Sequence, residues 1–103
     1  MQENSPCDPS ALLRQHPDYQ RAMRFYSDEE DIRVKAILLR RFGPSLSGDV
    51  DDVVGEILED SEVIDSPPGS CGWLYSYNGT KIMIGLMRLN EDQSGITYGF
   101  QEC

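Results

Sequence analysis

The amino-acid sequence predicts an α+β fold, with three to four N-terminal helices packed on one face of a C-terminal three-stranded antiparallel meander. Three observations support this fold class. Apolar residues recur with helical spacing in residues 8–61, whereas they alternate along residues 71–102. An Asn-Gly pair divides the second region and is the strongest short signal for a β-hairpin. Helices and strands in separate blocks are typical of α+β domains.

The chain of 103 residues is long enough for one domain. Folding would bury roughly 65% of the unfolded surface. We divide this single domain, residues 1–103, into a flexible arm (1–7), a helical part (8–61) and the β-meander (71–102). Residues 65–70 contain two prolines and a glycine, which predicts a linker between the helices and the sheet.

Four helical segments are predicted in the helical part. Asp8 caps the first helix, and Pro9 suits its first turn. This helix ends before Pro17, because a residue preceding proline avoids helical backbone angles. A second helix follows Pro17. Its apolar face consists of Tyr19, Ala22, Met23 and Tyr26.

A third helix is predicted to begin at Ser27, because residues 27–30 have the pattern of a capping box. Gly43 and Pro44 end it. The apolar stripe of this helix consists of Val34, Ile37, Leu38 and Phe42.

The fourth helix, residues 49–61, has the clearest helical period in the chain. Its apolar residues are Val50, Val53, Val54, Ile57 and Leu58. The last four lie three, four, seven and eight positions after Val50.

The hairpin turn is assigned to Asn78-Gly79, because both central residues of a type I′ turn need positive φ. In the register that this turn sets, Tyr77 faces Thr80 and Trp73 faces Ile84. Tyr75 would face Ile82.

Directly opposed residues share a face of the sheet, so this register predicts which side is buried. The predicted core face consists of Trp73, Tyr75, Tyr77, Thr80, Ile82, Ile84 and Leu86. The opposite face includes Met83, Gly85 and Met87, and we expect it to be half covered.

The third strand is predicted over residues 96–102, after the polar turn 90–95. Its apolar residues are Ile96, Tyr98 and Phe100. A register that pairs Arg88 with Ile96 places them on the Trp73 face, and we expect this register because it gathers the apolar residues on one surface. A slip by one residue would place them on the Met83 face instead.

The net charge of −9, from 18 acidic and 9 basic residues, favours a basic protein partner. It argues against direct binding to nucleic acid or to anionic membranes. The sequence has no apolar run of transmembrane length and no signal-peptide pattern. Its three cysteines, Cys7, Cys71 and Cys103, form neither a disulfide framework nor a zinc motif. We therefore expect a cytoplasmic protein without a cofactor, and the sequence leaves its oligomeric state open.

The acidic stretch 49–65 is the main functional signal in the sequence. It contains eight acidic residues and no Lys or Arg. Like charges four residues apart destabilise a helix, and acids near a helix C-terminus oppose its macrodipole. These charges indicate either a solvated face or a surface for a partner.

The predicted partner-binding residues form two groups. The acidic group consists of Asp51, Asp52, Glu56, Glu59, Asp60 and Glu62. The second group is Met83 with Met87, because unbranched Met side chains adapt to different partners. The alternatives for this pair are burial under helices or a gap-filling role in the core.

Metal binding and nucleophilic catalysis have little support in the sequence. Residues 90–95 resemble the first half of a calcium loop, but Gln101 stands where a bidentate Glu is needed. His16 is the only histidine and is distant in sequence from Cys71 and Cys103. We predict no metal site, no calcium requirement and no catalytic residue, although two carboxylates could still meet in a cleft.

Three helices before a hairpin also suggest a winged-helix DNA-binding fold. Its recognition helix would be the acidic one, which phosphates repel, so we expect no binding to duplex DNA.

These observations predict a small acidic protein-binding module that inhibits a basic, nucleic-acid-handling protein. Immunity proteins, antitoxins and phage-encoded defence inhibitors have this kind of charge, which is an analogy of class. The alternatives are a regulatory or ligand-binding domain that uses the Met/Gly face, and a small enzyme that uses carboxylates. Binding that weakens with salt is expected only for the first.

Overall fold

The computed structural model describes residues 11–103 and shows an α+β fold with a four-stranded antiparallel sheet. The predicted arm and the Asp8 cap lie outside the described residues. The helices are α1 (Ala11–Gln15), α2 (Tyr19–Phe42) and α3 (Val50–Glu59), with a 3-10 turn at Gly43–Ser45. The strands are β1 (Glu62–Ile64), β2 (Ser70–Tyr77), β3 (Thr80–Leu89) and β4 (Ile96–Glu102).

Helix α2 is one continuous helix of 24 residues, so the predicted start of a new helix at Ser27 is wrong. The capping-box pattern of residues 27–30 does not interrupt it, because none of those residues is a proline or glycine that would break the helical hydrogen bonds. The two predicted apolar stripes join on one face, where Ala22, Tyr26, Val34, Ile37 and Leu38 are buried.

Helix α3 confirms the prediction from its periodicity. Asp49 is its N-cap, and the Asp49 side chain accepts a hydrogen bond from the backbone N–H of Asp51 at 3.2 Å. Val53, Val54 and Ile57 are buried on one side.

The sheet has the strand order β1-β2-β3-β4, and β1 was not predicted. This strand of three residues pairs Glu62 with Leu74 and Ile64 with Gly72. The turn between β2 and β3 confirms the hairpin prediction, because Asn78 and Gly79 have φ values of 52° and 80°.

A β-bulge at Ile82 changes the register that the turn alone predicts. Ser76 pairs with Lys81, but Tyr75 pairs with Met83, so Ile82 is an extra residue in β3. Both Ile82 and Met83 are buried, with exposed fractions of 0% and 1%. A bulge places two residues opposite one and reverses the alternation beyond it.

The predicted core face is therefore wrong beyond the bulge. Trp73 pairs with Gly85 and not with Ile84. Ile84 and Leu86 lie on the opposite face, where Leu86 is 37% exposed. The face with Met83, Gly85 and Met87 is the one that the helices cover.

The register of β4 also differs from the prediction, because Leu89 pairs with Ile96. This one-residue difference places Ile96, Tyr98 and Phe100 on the Met83 face. Since the bulge has turned that face toward the helices, these residues still lie on the same side as Trp73, as predicted.

The core consists of two clusters between the helices and this sheet face. One cluster joins α2 and α3 to Tyr75, Ile82 and Met83. The other joins α1 and the first half of α2 to Met87. Leu74, Ile84 and Leu86, on the opposite sheet face, belong to neither cluster.

His16 links the helical part to the turn between β3 and β4. Its Nδ1 accepts a hydrogen bond from the Asp18 N–H, and its Nε2 lies 3.0 Å from the Gln93 carbonyl oxygen. This arrangement requires the neutral tautomer with the proton on Nε2, which donates to Gln93.

Candidate functional site

Eight exposed carboxylate residues lie on α3, β1 and their flanking loops, and we call them the acidic surface. They are Asp49, Asp51, Asp52, Glu56, Glu59, Asp60, Glu62 and Asp65. All six predicted acidic partner-binding residues belong to this surface.

Helix α3 exposes its carboxylates because its apolar side is fixed against the core. Val54 and Ile57 are 2% and 4% exposed and pack with α2 and the sheet. At 100° per residue, Asp52, Glu56 and Glu59 lie on the side opposite to those residues and are exposed.

One cation from another element reaches the acidic surface. Lys35 of α2 places its Nζ 3.0 Å from Asp51 Oδ1. The hydrogen bond to Asp51 raises the pKa of Lys35, and the charges of Asp31 and Asp49 add to the effect. Within residues 11–103, none of the other seven carboxylates forms an ion pair. A sequence window around α3 could not show Lys35, because contact depends on how α2 packs.

Met83 and Met87 are not part of a surface. Their exposed fractions are 1% and 0%, because the bulge at Ile82 turns both side chains toward the helices. This corrects the prediction that they bind a partner, and it removes the basis for ligand binding on the Met/Gly face. The structure does not bring them to the acidic surface.

A buried polar group that the sequence analysis missed lies between α2 and the sheet. The Tyr75 hydroxyl donates to Glu30 Oε2 at 2.5 Å, and the Tyr26 and Tyr75 hydroxyl oxygens are 2.7 Å apart. Tyr75 has one hydroxyl proton, which it donates to Glu30. Its hydroxyl oxygen therefore accepts a hydrogen bond from Tyr26. The three groups form one directed chain of hydrogen bonds.

Burial controls the ionisation of this chain. Burial is the largest cause that raises the pKa of Glu30, which the nearby charge of Asp31 raises further and the Tyr75 hydrogen bond opposes. Burial also raises the pKa of both tyrosines above its usual range, so their hydroxyls stay protonated.

Tyr26 and Tyr75 are 1% and 0% exposed, and Glu30 is the one partly exposed member of the chain. The Tyr26 ring packs at a tilt against Trp73 and Phe100, with ring centroids 4.9 Å and 4.7 Å away. We therefore assign this group to holding α2 on the sheet. The sequence analysis placed both tyrosines on apolar faces and assigned Glu30 to a capping box. The hydrogen bonds between them become visible only when α2 packs on the sheet.

Comparison with protein-family models, curated proteins and solved structures found no match to this chain. No helix in residues 11–103 is both long enough and apolar enough to cross a membrane. In the same residues, no three His, Cys, Asp or Glu side chains are grouped so that they could hold a metal ion.

Proposed function

We propose that the acidic surface binds a basic protein, and that this chain inhibits a nucleic-acid-handling protein by occupying its phosphate-binding groove. The proposal rests on the acidic surface itself. Eight exposed carboxylates lie on one helix and its flanks, and a single ion pair, from Lys35 to Asp51, compensates them within the described residues. Immunity proteins, antitoxins and phage-encoded defence inhibitors are examples of such inhibitors.

The positions of these charges do not serve the stability of α3. Asp52 and Glu56 are a like-charge pair four residues apart, and so are Glu56 and Asp60. Each such pair destabilises a helix by about 0.2–0.5 kcal/mol. Glu59 and Asp60 lie at the C-terminal end, where negative charge opposes the macrodipole. A role in binding explains why acids occupy positions where Lys would stabilise the helix.

The spacing of the carboxylates suits a groove that binds a nucleic-acid strand. Asp52, Glu56 and Glu59 follow one another along α3 with rises of about 6 Å and 4.5 Å. One strand of DNA carries a charge about every 3.4 Å of its axis, so each of these rises corresponds to between one and two phosphate steps. A Lys- and Arg-rich groove would meet negative charge at comparable intervals.

The test compares two variants that raise the net charge by the same three units. The surface variant is Asp52→Asn/Glu56→Gln/Glu59→Gln, which removes charge and keeps side-chain shape. The control variant is Gln20→Lys/Glu91→Lys, at exposed positions in the first turn of α2 and in the β3–β4 turn, outside the acidic surface.

Each protein is fixed to beads and mixed with a lysate of the source organism, and captured proteins are identified by mass spectrometry. The wild type and the control variant should capture the same basic protein. For that purified protein, the association rate of the surface variant at about 0.1 M salt should be lower by about tenfold or more, and the difference should vanish near 1 M. The wild-type chain should also suppress nucleic-acid binding or cleavage by the captured protein.

Two outcomes contradict the proposal. One is that the surface variant and the control variant associate with the captured protein at equal rates. The other is that the wild type captures no basic protein.

A further inference from the structure

Helix α2 has a second apolar stripe on the side that faces away from the core. Phe25, Ile32 and Leu39 are 54%, 67% and 51% exposed. They are seven residues apart, which places them in a nearly straight line along a helix. We call these three residues the outer stripe. At 100° per residue they lie opposite Met23, Glu30 and Ile37, on the side that faces the sheet.

The outer stripe is symmetric about Ile32. Phe25 precedes Ile32 by seven residues, and Leu39 follows it by seven. A two-fold axis at Ile32 would therefore place Phe25 against Leu39 of a second copy, twice, with the two Ile32 side chains in contact. Such a self-complementary patch is what an isologous dimer needs.

The charges beside the outer stripe select an antiparallel arrangement. Asp28 precedes Ile32 by four residues and Lys35 follows it by three, on the same flank of the stripe. Two-fold symmetry brings Asp28 next to Lys35 of the second copy. A parallel arrangement would instead bring this flank next to the opposite flank, which holds Glu29 and Arg33. Asp28 would then lie near Glu29 of the second copy, with like charges adjacent.

The other flank carries an ion pair within one copy. Glu29 pairs with Arg33 within α2, with Arg33 Nε 2.7 Å from Glu29 Oε2. Both side chains also contact β4, because Arg33 lies over the Phe100 ring and the Tyr98 hydroxyl lies 3.4 Å from Glu29 Oε1. The antiparallel orientation is therefore inferred from Asp28 and Lys35.

Helix α2 is also the element through which two copies can approach with the least repulsion. It holds six of the nine Lys and Arg residues and four acids, which gives it a charge of +2. The remainder of the chain therefore carries −11. Contact through α2 keeps most of the acidic surface out of the interface. Asp51 lies at its edge, because it pairs with Lys35 on the flank of the outer stripe.

We propose that this chain forms an antiparallel homodimer through the outer stripes of two α2 helices. Three apolar side chains from each copy form a small interface, which belongs to the weak end of specific interfaces. We expect a dissociation constant on the order of 10–100 μM.

Sedimentation velocity over about 1–500 μM tests the dimer. The wild type should shift from monomer to dimer over this range. Ile32→Glu places two like charges at the two-fold axis and should stay monomeric, with an unchanged far-UV circular dichroism spectrum that shows an intact α2. The matched control is Val63→Glu, because Val63 is 72% exposed on β1, away from α2, and this variant should dimerise like the wild type.

A charge exchange tests the orientation. Both variants are made in an Asp51→Asn background, because Lys35 pairs with Asp51 within its own copy. In that background Asp28→Lys alone should weaken dimerisation about tenfold, and Asp28→Lys/Lys35→Glu should restore most of it, because the pair is exchanged in both copies. The proposal is overturned if the wild type is monomeric at about 500 μM, as it would be if another partner or residues 1–10 covered the stripe. It is also overturned if Ile32→Glu dimerises like Val63→Glu, or if the double variant is weaker than the single one.

Discussion

The contact between Tyr26 and Gly85 sets the distance between α2 and the sheet. A Cβ atom placed on Gly85 would lie 1.9 Å from the Tyr26 hydroxyl oxygen and 3.1 Å from Phe100 Cε1. That hydroxyl is held by its hydrogen bond to Tyr75, and its ring is packed near Trp73. A side chain at position 85 would therefore push the buried hydrogen-bond chain out of place.

Gly85→Ala should accordingly lower the free energy of unfolding by about 1–3 kcal/mol, as overpacking of a core does. Urea denaturation measures the effect. Gly99→Ala is the control, because a Cβ on Gly99 meets no atom within 4 Å in the neighbouring strand. An equal midpoint for the two variants would show that Tyr26 moves aside without loss.

Glu30 makes stability depend on pH in the direction opposite to most surface carboxylates. Burial holds its pKa above the ordinary value of 4.5 in the folded protein. Between the unfolded and folded values the folded state binds more protons, so stability falls as pH rises through this window and then levels off.

Glu30→Gln removes this titration and keeps an oxygen that accepts from Tyr75. The stability of Glu30→Gln relative to the wild type should therefore increase between pH 4 and pH 8, as measured by urea midpoints at each pH. Taking the difference cancels the titration of other groups, such as Glu102, whose pKa is lowered by Arg40. A difference that stays constant or decreases would mean that Glu30 ionises as easily in the folded protein as in the unfolded chain.

At the scale of elements, the β2–β3 turn depends on backbone conformation alone. Gly79 has a φ of 80°, and a Cβ atom there would meet nothing within 4 Å. Gly79→Val should still lower the free energy of unfolding by about 1–2 kcal/mol, because L-residues are strained at positive φ and β-branched ones especially so.

Gly99→Val, in β4, is the control for this turn, since a β-branched residue suits a strand and Gly99 has open space. If Gly79→Val lowers the free energy of unfolding no more than Gly99→Val does, the β2–β3 turn is not of type I′.

Helix α3 and the β2–β3 turn could be predicted because their residues alone decide them. The helical period of Val50–Leu58 and the positive φ that Asn and Gly accept need no tertiary contact. The bulge could not be predicted, because Ile82, Met83 and Ile84 are all apolar and fit either face of the sheet. Strand β1 was missed because three residues are too few for a period, and it forms only by pairing with β2.

At the scale of the whole molecule, charge is unevenly distributed. Six of nine cations lie on α2, and the acids dominate the rest. Added salt screens the resulting repulsion, so the urea midpoint should rise between about 0.05 M and about 0.5 M NaCl. The rise should be smaller for Asp52→Asn/Glu56→Gln/Glu59→Gln. A midpoint that falls with salt would mean that exposed ion pairs, such as Lys35 with Asp51, outweigh the repulsion.

The acidic surface was predictable because exposure follows from the period of α3 and charge follows from composition. The ion pair from Lys35 and the chain from Tyr26 through Tyr75 to Glu30 were not predictable, since each joins elements that are far apart in the sequence. The prediction that Met83 and Met87 are exposed was wrong for the same reason as the predicted sheet register. One extra residue in β3 reverses which face of the sheet the later side chains lie on.

The bulge at Ile82 also determines where this chain can change in length. Without Ile82, Ser76 and Tyr75 would pair with Lys81 and Met83 as they already do, and every later pair of β3 would keep its place. The protein would lose one buried side chain and keep its topology. A residue lost at Ile84, Gly85 or Leu86 would instead turn Met87 outward and separate β4 from its apolar contacts. During evolution, a deletion in β3 should therefore survive at the bulge and be eliminated at these three positions.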